Sequence, residues 1–168
     1  MKIRKLAAAV AVMATLGASA QSPKYIFYYI GDGMGMGPVV AAETYNRVIL
    51  NSDKPLNMMQ MPVVGWCMTY SASSTITDSA AAGTALSTGT KTKNGMLGMN
   101  PDTADVVSVA KKLQAMGYGI GVTTSVAPDD ATPGAFYAHV PHRSMFYEIG
   151  TQMAGTDLSL IHISEPTR

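Results

Sequence analysis

Apolar and polar stretches alternate along the chain in a pattern that predicts strands separated by helices. Residues 25–30 form an unbroken apolar and aromatic run, which is typical of a strand buried on both faces of a parallel sheet. Residues 63–70 and 119–126 have the composition of two further strands. Helices are predicted over residues 38–50, 76–89, 104–116 (with Thr103 as N-cap), 134–139 and 144–154. This alternation predicts an α/β fold, a three-layer sandwich with a mostly parallel central sheet.

The first twenty residues indicate a secretory signal peptide. A basic segment, residues 1–5, precedes a short apolar run, residues 6–16, and small residues follow at positions 18–20. The apolar run is too short to span a bilayer as a helix. We therefore expect residues 1–20 to be removed, leaving a mature chain that begins at Gln21, has no membrane span and is periplasmic or secreted.

Charge and cysteine content exclude several classes of function. The chain has 12 basic and 11 acidic residues and a formal net charge of +1, so its charge gives no support to a nucleic-acid partner or to an acidic membrane surface. Cys67 is the only cysteine, which rules out an intrachain disulfide and a cysteine-based metal site. Because Cys67 lies in an apolar run, we expect its thiol to pack in the core.

Three polar clusters follow strand-like runs, either directly or after a short connection: Asp32, the pair Asp78–Ser79, and Asp130. In parallel sheets, ligands bind at the carboxyl ends of the strands. We therefore expect these clusters to converge on one edge of the sheet, where they would form the candidate site.

The first two clusters allow more than one interpretation. Asp32 lies in a loop with glycine at every second position, which suits either a tight turn or a hard cation held by carboxylate oxygens. Asp78–Ser79 at a helix start suits either an N-cap or a nucleophile beside an anion site. A serine hydroxyl needs activation near neutral pH, and a metal would activate it more strongly than the helix terminus would.

The third cluster and a later arginine also allow more than one interpretation. Asp130 and Thr132 could direct a carboxylate and a hydroxyl at one Mg²⁺ ion, or they could belong to a turn that begins a helix at Pro133. Arg143 could clamp a phosphate through two parallel N–H bonds, or it could point into solvent.

Together these motifs resemble the alkaline phosphatase family. The resemblance is carried, in the family's order and spacing, by Gly31–Gly35, Asp78–Ala85, Thr88–Thr92, Asp130–Pro133, Ala138–Val140 and Arg143. It covers residues 24–158. Asp129 is one residue out of register with the family's Asp-x-Thr-Pro pattern, so Asp130 is preferred as the matching carboxylate.

The resemblance implies two zinc ions and one magnesium ion as cofactors. Asp32 would bridge one zinc ion and the magnesium ion, and Ser79 would contact the same zinc ion. Asp130 and Thr132 would complete the early part of the magnesium site. The family's remaining metal ligands come from the later part of a much longer chain and have no counterpart here.

The resemblance also implies the reaction. Ser79 would attack a small phosphate monoester and become phosphoserine, which zinc-bound hydroxide would then hydrolyse. Arg143 would bind the non-bridging phosphate oxygens, and Asp78 would orient Arg143 and Ser79. The two zinc ions would clamp the attacking and leaving oxygens.

The chain is therefore interpreted as a piece of a longer precursor, called the parent enzyme below. Residues 21–158 would be the N-terminal part of an alkaline phosphatase domain, with the sandwich incomplete at its C-terminus. Residues 159–168 resemble a translated sequencing adapter and are expected to be non-native. We expect the chain alone to be inactive. A homodimeric parent enzyme is compatible with the resemblance, although the sequence does not set the oligomeric state.

Two other functions stay open. A related metal-dependent phosphodiesterase or sulfatase would place a threonine or a modified cysteine at the nucleophile position, whereas Ser79 with Asp78 favours a phosphatase. An exported module that binds phosphate or metal without catalysis would bind phosphate but form no phosphoserine.

Overall fold

The computed structural model describes residues 22–163, and the chain divides into two compact units, residues 1–31 and 32–168. The predicted signal peptide over residues 1–20 lies outside the described residues. Within the described part, no helix is long and apolar enough to cross a membrane.

The first unit does not contain the strand predicted over residues 25–30. Residues 22–31 form neither a helix nor a strand, and the aromatic side chains of Tyr25, Phe27 and Tyr29 are exposed. A run that is apolar on both faces becomes a buried strand only when other strands and helices cover it. Here its side chains stay in solvent, so the prediction of a buried strand is wrong.

The second unit begins with helix α1, Met36–Thr44. The helix continues as a wider π-helical turn over Tyr45–Ile49, and a short 3₁₀ helix, Asn57–Gln60, follows. The helix predicted over residues 38–50 is confirmed, although it begins two residues earlier and changes its winding in the last turn.

The strand predicted over residues 63–70 is also absent. These residues belong to no helix or strand of the described part, and the side chains of Val63, Trp66 and Met68 are exposed. Cys67 is exposed as well, so the expectation of a core thiol is wrong. The end of this segment is held by Lys91, whose ammonium group donates to the Met68 carbonyl at 3.0 Å.

The helix predicted over residues 76–89 is confirmed as α2, Ser79–Thr88. It ends at Gly89, which adopts the left-handed conformation that favours glycine (φ 77°). Helix α3, Val109–Ala115, begins later than predicted. Ser108 caps it by accepting from the Lys111 amide at 3.2 Å, whereas Thr103 has φ 65° and lies in the preceding turn.

The remaining elements complete a small α/β arrangement. They are strand β1 (Gly121–Thr124), the short helix α4 (Ala131–Gly134), helix α5 (Phe146–Ala154) and strand β2 (Leu160–Ile163). The two strands pair in parallel, with Gly121 opposite Leu160 and Thr124 opposite Ile163. These helices and paired parallel strands confirm the α/β class. Strand β2 lies in the tail expected to be non-native, and strand pairing does not test its origin, so the domain boundaries stay predictions.

The core lies where α2, α4 and α5 meet a pair of loops. Leu97 and Val140 exchange two backbone hydrogen bonds of 3.0 Å across these loops, and both side chains are buried. The core cluster consists of Ala80, Leu97, Ala131, Ala135, Ala138, Val140 and Ile149. The small residues of α2 therefore serve close packing: Gly83 faces Ala135 so tightly that a Cβ at Gly83 would lie 3.0 Å from the Ala135 Cβ.

Candidate active site

Ser79 occupies the first position of α2, directly after the N-cap residue Asp78. The Asp78 carboxylate makes two separate bonds: Oδ1 accepts from the Ala81 amide at 2.9 Å, and Oδ2 accepts from the Gly95 amide at 2.9 Å. The first bond caps the helix and the second ties the helix start to a neighbouring turn. Ser79 is therefore fixed at a helix N-terminus, where amide groups and the helix dipole favour an anion.

The Arg143 guanidinium reaches Ser79 from the loop before α5. Its Nη1 atom lies 3.4 Å from Ser79 Oγ and 3.5 Å from Asp78 Oδ2. Its Nη2 atom donates to Asp130 Oδ1 at 3.0 Å. The planar fork of arginine permits these contacts at the same time. Two carboxylates thus hold the guanidinium beside the serine hydroxyl.

Asp32 contacts the site from the glycine-rich loop. Its Oδ2 atom accepts a hydrogen bond of 2.8 Å from the Thr132 hydroxyl, and its Oδ1 atom accepts one of 3.4 Å from the Ser79 hydroxyl. Asp32 lies 47 residues before Ser79 and 100 residues before Thr132 in the sequence. The fold therefore brings distant oxygen donors together.

The sequence-predicted site residues form one connected cluster. They are Asp32, Asp78, Ser79, Asp130, Thr132 and Arg143. The preference for Asp130 over Asp129 agrees with its bond to Arg143, and Asp130 also accepts from the Ala131 amide at 2.6 Å as the N-cap of α4. The catalytic and metal-binding roles of these residues stay predictions.

Sequence reasoning missed the turn that connects the two halves of this cluster. Asn94 bonds to the segment before Ser79, and Gly95 bonds to both Asp78 and Arg143. An Asn-Gly pair is a turn signal, so the turn itself could be predicted from the sequence. Its hydrogen-bond partners could not be predicted, because they lie up to 48 positions away in the sequence.

The oxygen donors suit a hard cation better than a zinc pair. Mg²⁺ binds through one or two carboxylates and keeps several waters, which Asp32, Ser79 and Thr132 could accommodate. Protein zinc sites draw largely on histidine and cysteine beside carboxylates. Among residues 22–163, no group of three or more His, Cys, Asp or Glu side chains is gathered closely enough to hold a metal ion.

The fold and the cluster together define a class: an α/β protein in which a serine at a helix N-terminus faces an arginine and a carboxylate-rich, oxyanion-type site. Comparison with known proteins makes this assignment specific. The chain belongs to the alkaline phosphatase family, because the model of that family matches residues 23–161.

Curated relatives and solved structures agree with this assignment. The chain is 35% identical over 130 residues to alkaline phosphatase 4 of Bacillus subtilis, covering 74% of this chain and 28% of the relative. It is 34% identical over 129 residues to the alkaline phosphatase of Escherichia coli, covering 73% of this chain and 27% of the relative. A variant of TAB5 alkaline phosphatase with Mg bound in a site called M3 has a TM-score of 0.69 and 31% identity, over 79% of this chain and 36% of that one.

The chain spans about a quarter of the length of the curated relatives it matches. The family match over residues 23–161 covers the region that holds the cluster. The family and the α/β fold are therefore established for this chain, and the activity of the whole enzyme is a separate question.

Proposed function

We propose that the parent enzyme hydrolyses small phosphate monoesters and that Ser79 is its nucleophile. One observation carries this proposal: Ser79 Oγ lies 3.4 Å both from Arg143 Nη1 and from Asp32 Oδ1. A nucleophile needs a cation to bind the substrate anion and a neighbouring group to orient its hydroxyl. Arg143 provides the first and Asp32 the second.

In the first step, Arg143 and the N-terminus of α2 bind the non-bridging oxygens of the phosphate group. Asp32 Oδ1 accepts the hydroxyl hydrogen bond and so orients the Ser79 oxygen towards phosphorus. The Ser79 oxygen forms a bond to phosphorus as the ester P–O bond breaks. The serine proton passes to solvent water, and the departing alkoxide takes up a proton from water and leaves as an alcohol.

In the second step, water attacks the phosphoserine. A bond forms between the water oxygen and phosphorus as the bond from phosphorus to Ser79 Oγ breaks. A proton of the attacking water passes to Ser79 Oγ, which restores the serine hydroxyl, and inorganic phosphate leaves. Arg143 stabilises charge on the transferring group in both steps. Asp78 holds the helix start and the guanidinium in place throughout.

Divalent cations are part of the proposal. Asp32 and Ser79 would hold one zinc ion, and Asp32, Asp130 and Thr132 would hold the protein's early share of one magnesium ion, in the roles that the family resemblance implies. The second of the two zinc ions would take its ligands from the later part of the longer chain. Bound cations supply positive charge and lower the pKa of coordinated oxygen groups. The magnesium bound to the TAB5 variant supports a metal in this family.

Two further proposals concern the chain itself. We propose that it has no metal-dependent phosphatase activity alone, because it spans about a quarter of its curated relatives and the family's remaining metal ligands come from the later part of the longer chain. We also propose export to the periplasm or the exterior, which rests on residues 1–20.

Substrate profiling of the parent enzyme tests the function. We expect turnover of an aryl phosphate monoester, much less of a phosphodiester or a sulfate ester, and loss of turnover in Ser79→Ala. Ser125→Ala is the matched control, because Ser125 is an exposed serine in another loop. Preferred turnover of the diester or the sulfate would contradict the proposal. Phosphate binding without any turnover would favour a non-catalytic module instead.

A further inference from the structure

The turn at Asn94–Gly95 contacts both the serine side and the arginine side of the site. We infer that this turn is a positioning element, which fixes the start of α2 and the Arg143 backbone relative to each other. The inference rests on the proposed role of Ser79 and adds two positioning residues, Asn94 and Gly95, which act on Ser79 and Arg143 through neighbouring groups.

The Asn94 side chain brackets the segment that leads into Ser79. Its Nδ2 atom donates to the Ile76 carbonyl at 2.9 Å, and its Oδ1 atom accepts from the Asp78 amide at 3.3 Å. One amide group therefore satisfies a carbonyl and an amide two residues apart, directly before the helix. These backbone groups precede the first helical turn and have no partner within α2. Asn94 thus fixes the path by which the chain enters α2.

The Gly95 backbone connects the two sides. Its amide donates to Asp78 Oδ2 at 2.9 Å, and its carbonyl accepts from the Arg143 amide at 2.6 Å. Gly95 has φ 85°, a conformation that L side chains rarely adopt, and a Cβ there would lie 3.1 Å from the His142 ring. The position therefore requires glycine for both its conformation and its close neighbour.

The turn is itself held on both flanks. The Asn94 amide donates to Ser73 Oγ at 2.9 Å, and the Thr92 carbonyl accepts from the Ala72 amide at 2.8 Å. On the other flank, Leu97 pairs with Val140 in the core. Because the turn is anchored, a displacement at Asn94 would reach Asp78 directly and Arg143 through Gly95. A misplacement of 1 Å can cost about 10²-fold in rate, so such a connection matters for catalysis.

Nuclear magnetic resonance on the full chain tests the inference without any need for turnover. In Asn94→Ala, we expect amide hydrogen exchange at Ala81, which donates to Asp78, to become about tenfold faster, the loss expected for one or two side-chain hydrogen bonds. We also expect the Arg143 side-chain Nε signal to move. The Arg47 signal should stay, because Arg47 pairs with Glu43 on α1.

Asn100→Ala is the matched control. The Asn100 side chain accepts from the Asp102 and Ala104 amides, so it also supports a loop by two hydrogen bonds. We expect this variant to leave Ala81 exchange and the Arg143 signal unchanged. Equal Ala81 exchange in the two variants would overturn the inference. An unmoved Arg143 signal in Asn94→Ala would overturn it as well, since the turn would then hold Asp78 alone.

A conservative variant and a kinetic measurement complete the test. Asn94→Asp keeps the acceptor for the Asp78 amide and loses the donor to the Ile76 carbonyl, so amide exchange at Ala81 should be slower than in Asn94→Ala. This variant also serves as the test if Asn94→Ala does not fold. Exchange at Ala81 as fast as in Asn94→Ala would count against the proposed role of the Asn94 side chain. In the parent enzyme, Asn94→Ala should lower kcat/KM about tenfold with unchanged thermal stability relative to Asn100→Ala. Inactivity of Ser79→Ala with full activity of Asn94→Ala would refute the positioning role alone. Full activity of Ser79→Ala would refute the proposed function and leave the exchange result standing.

Discussion

Arg143 is shared between two carboxylates, and this sharing sets how it can meet a phosphate group. The guanidinium lies 3.5 Å from Asp78 Oδ2 and 3.0 Å from Asp130 Oδ1, and between a quarter and a third of each side chain is exposed. Ion pairs this exposed contribute little to stability. Their effect is geometric: they direct the Nη1 atom at Ser79 Oγ before any substrate arrives.

Replacing the fork by a single ammonium group should therefore be costly. In the parent enzyme, we expect Arg143→Lys to lower kcat/KM by about 10²-fold, because lysine keeps the charge but cannot hold both carboxylates and face Ser79. Steady-state kinetics on an aryl phosphate measures the effect. Arg47→Lys, on an exposed pair with Glu43, is the control and should be near wild type. Similar rates for the two variants would contradict the assigned role of Arg143.

Asp32 should be the main cation ligand that this chain provides. We expect Mn²⁺, used as a probe for hard-cation sites, to broaden the amide signals of Ser79 and Thr132 in the full chain, because Asp32 contacts both side chains. The broadening should disappear in Asp32→Asn. It should persist in Asp53→Asn, which removes an exposed carboxylate elsewhere. Broadening that survives in Asp32→Asn would place the cation away from this cluster.

The residues of the cluster were predictable, whereas the contacts that the Asn94–Gly95 turn makes with them were not. Asp32, Ser79 and Arg143 lie in short motifs whose residue types suit one chemistry, and the structure brings them together. The sheet edge that was expected to bring Asp32 and Ser79 together is not observed, because residues 25–30 and 63–70 form no strand. Asn94 makes its contacts through side-chain and backbone bonds to Ile76 and Asp78. Such bonds depend on the folded path of two loops, which residue type and spacing do not specify.

The contact between helices α2 and α4 places Ser79 relative to Thr132. A Cβ at Gly83 would meet the Ala135 Cβ at 3.0 Å, and Ala135 is buried, so it has little room to yield. We expect Gly83→Ala to lower the free energy of unfolding by about 1 kcal/mol, because overpacking outweighs the gain in helix propensity. Chemical denaturation of the full chain measures this change.

Gly150 provides the matched control for that substitution. It lies in α5, and a Cβ there would meet no atom within 4 Å. Gly150→Ala should therefore raise the free energy of unfolding by roughly 0.5–1 kcal/mol. Equal stabilisation by both alanines would show that α2 and α4 do not pack as closely as the structure indicates.

The buried side chain of Tyr137 should make the free energy of unfolding depend on pH. Burial raises the pKa of Tyr137 from 10.0 to about 12, and the Asp129 carboxylate adds to the shift. Its hydroxyl donates to the Pro128 carbonyl. The folded state holds this proton more tightly than the unfolded state, so the stability that depends on it is complete below pH 10 and is lost as pH rises towards about 12.

We therefore expect the free energy of unfolding to fall by about 1–2 kcal/mol more in the wild type than in Tyr137→Phe across this pH range. Denaturant unfolding at the two ends of the range measures the difference. Tyr147→Phe, at an exposed tyrosine, should follow the wild type. The same loss in Tyr137→Phe as in the wild type would contradict a role for the Tyr137 proton.

Among the elements, helices were predicted better than strands. The helix at Ser79–Thr88 has local signals at both ends, a capping carboxylate and a terminal glycine, so its sequence specifies it. The runs at residues 25–30 and 63–70 have strand composition but belong to no strand of the described part. A strand is completed by hydrogen bonds to another segment, and composition alone does not supply that partner.

The residues of the site and the length of the chain both bear on which protein carries out the reaction. The described residues bring together a serine, an arginine and oxygen donors, but no cluster that could hold a metal pair. The chain spans about a quarter of its curated relatives. Because the chain spans only this share of its relatives, hydrolysis of phosphate monoesters is proposed for the parent enzyme and not for the chain alone.

The chain alone should accordingly show no turnover of an aryl phosphate, with or without added Zn²⁺ and Mg²⁺. Release of the coloured phenol, followed over hours at high protein concentration, measures this directly. The Ser79→Ala chain is the control for contaminating phosphatase. Metal-dependent turnover by the wild-type chain that Ser79→Ala abolishes would show that these residues suffice for catalysis.

The most direct test of Ser79 as the nucleophile is to trap its covalent intermediate. The parent enzyme is incubated with inorganic phosphate at mildly acidic pH, quenched in acid and digested, and the peptide that contains Ser79 is examined by mass spectrometry. We predict a phosphate group on Ser79, absent after Ser79→Ala and retained after Ser125→Ala. Turnover of phosphate monoesters with an unmodified Ser79, or with the phosphate on another residue, would contradict the proposed mechanism.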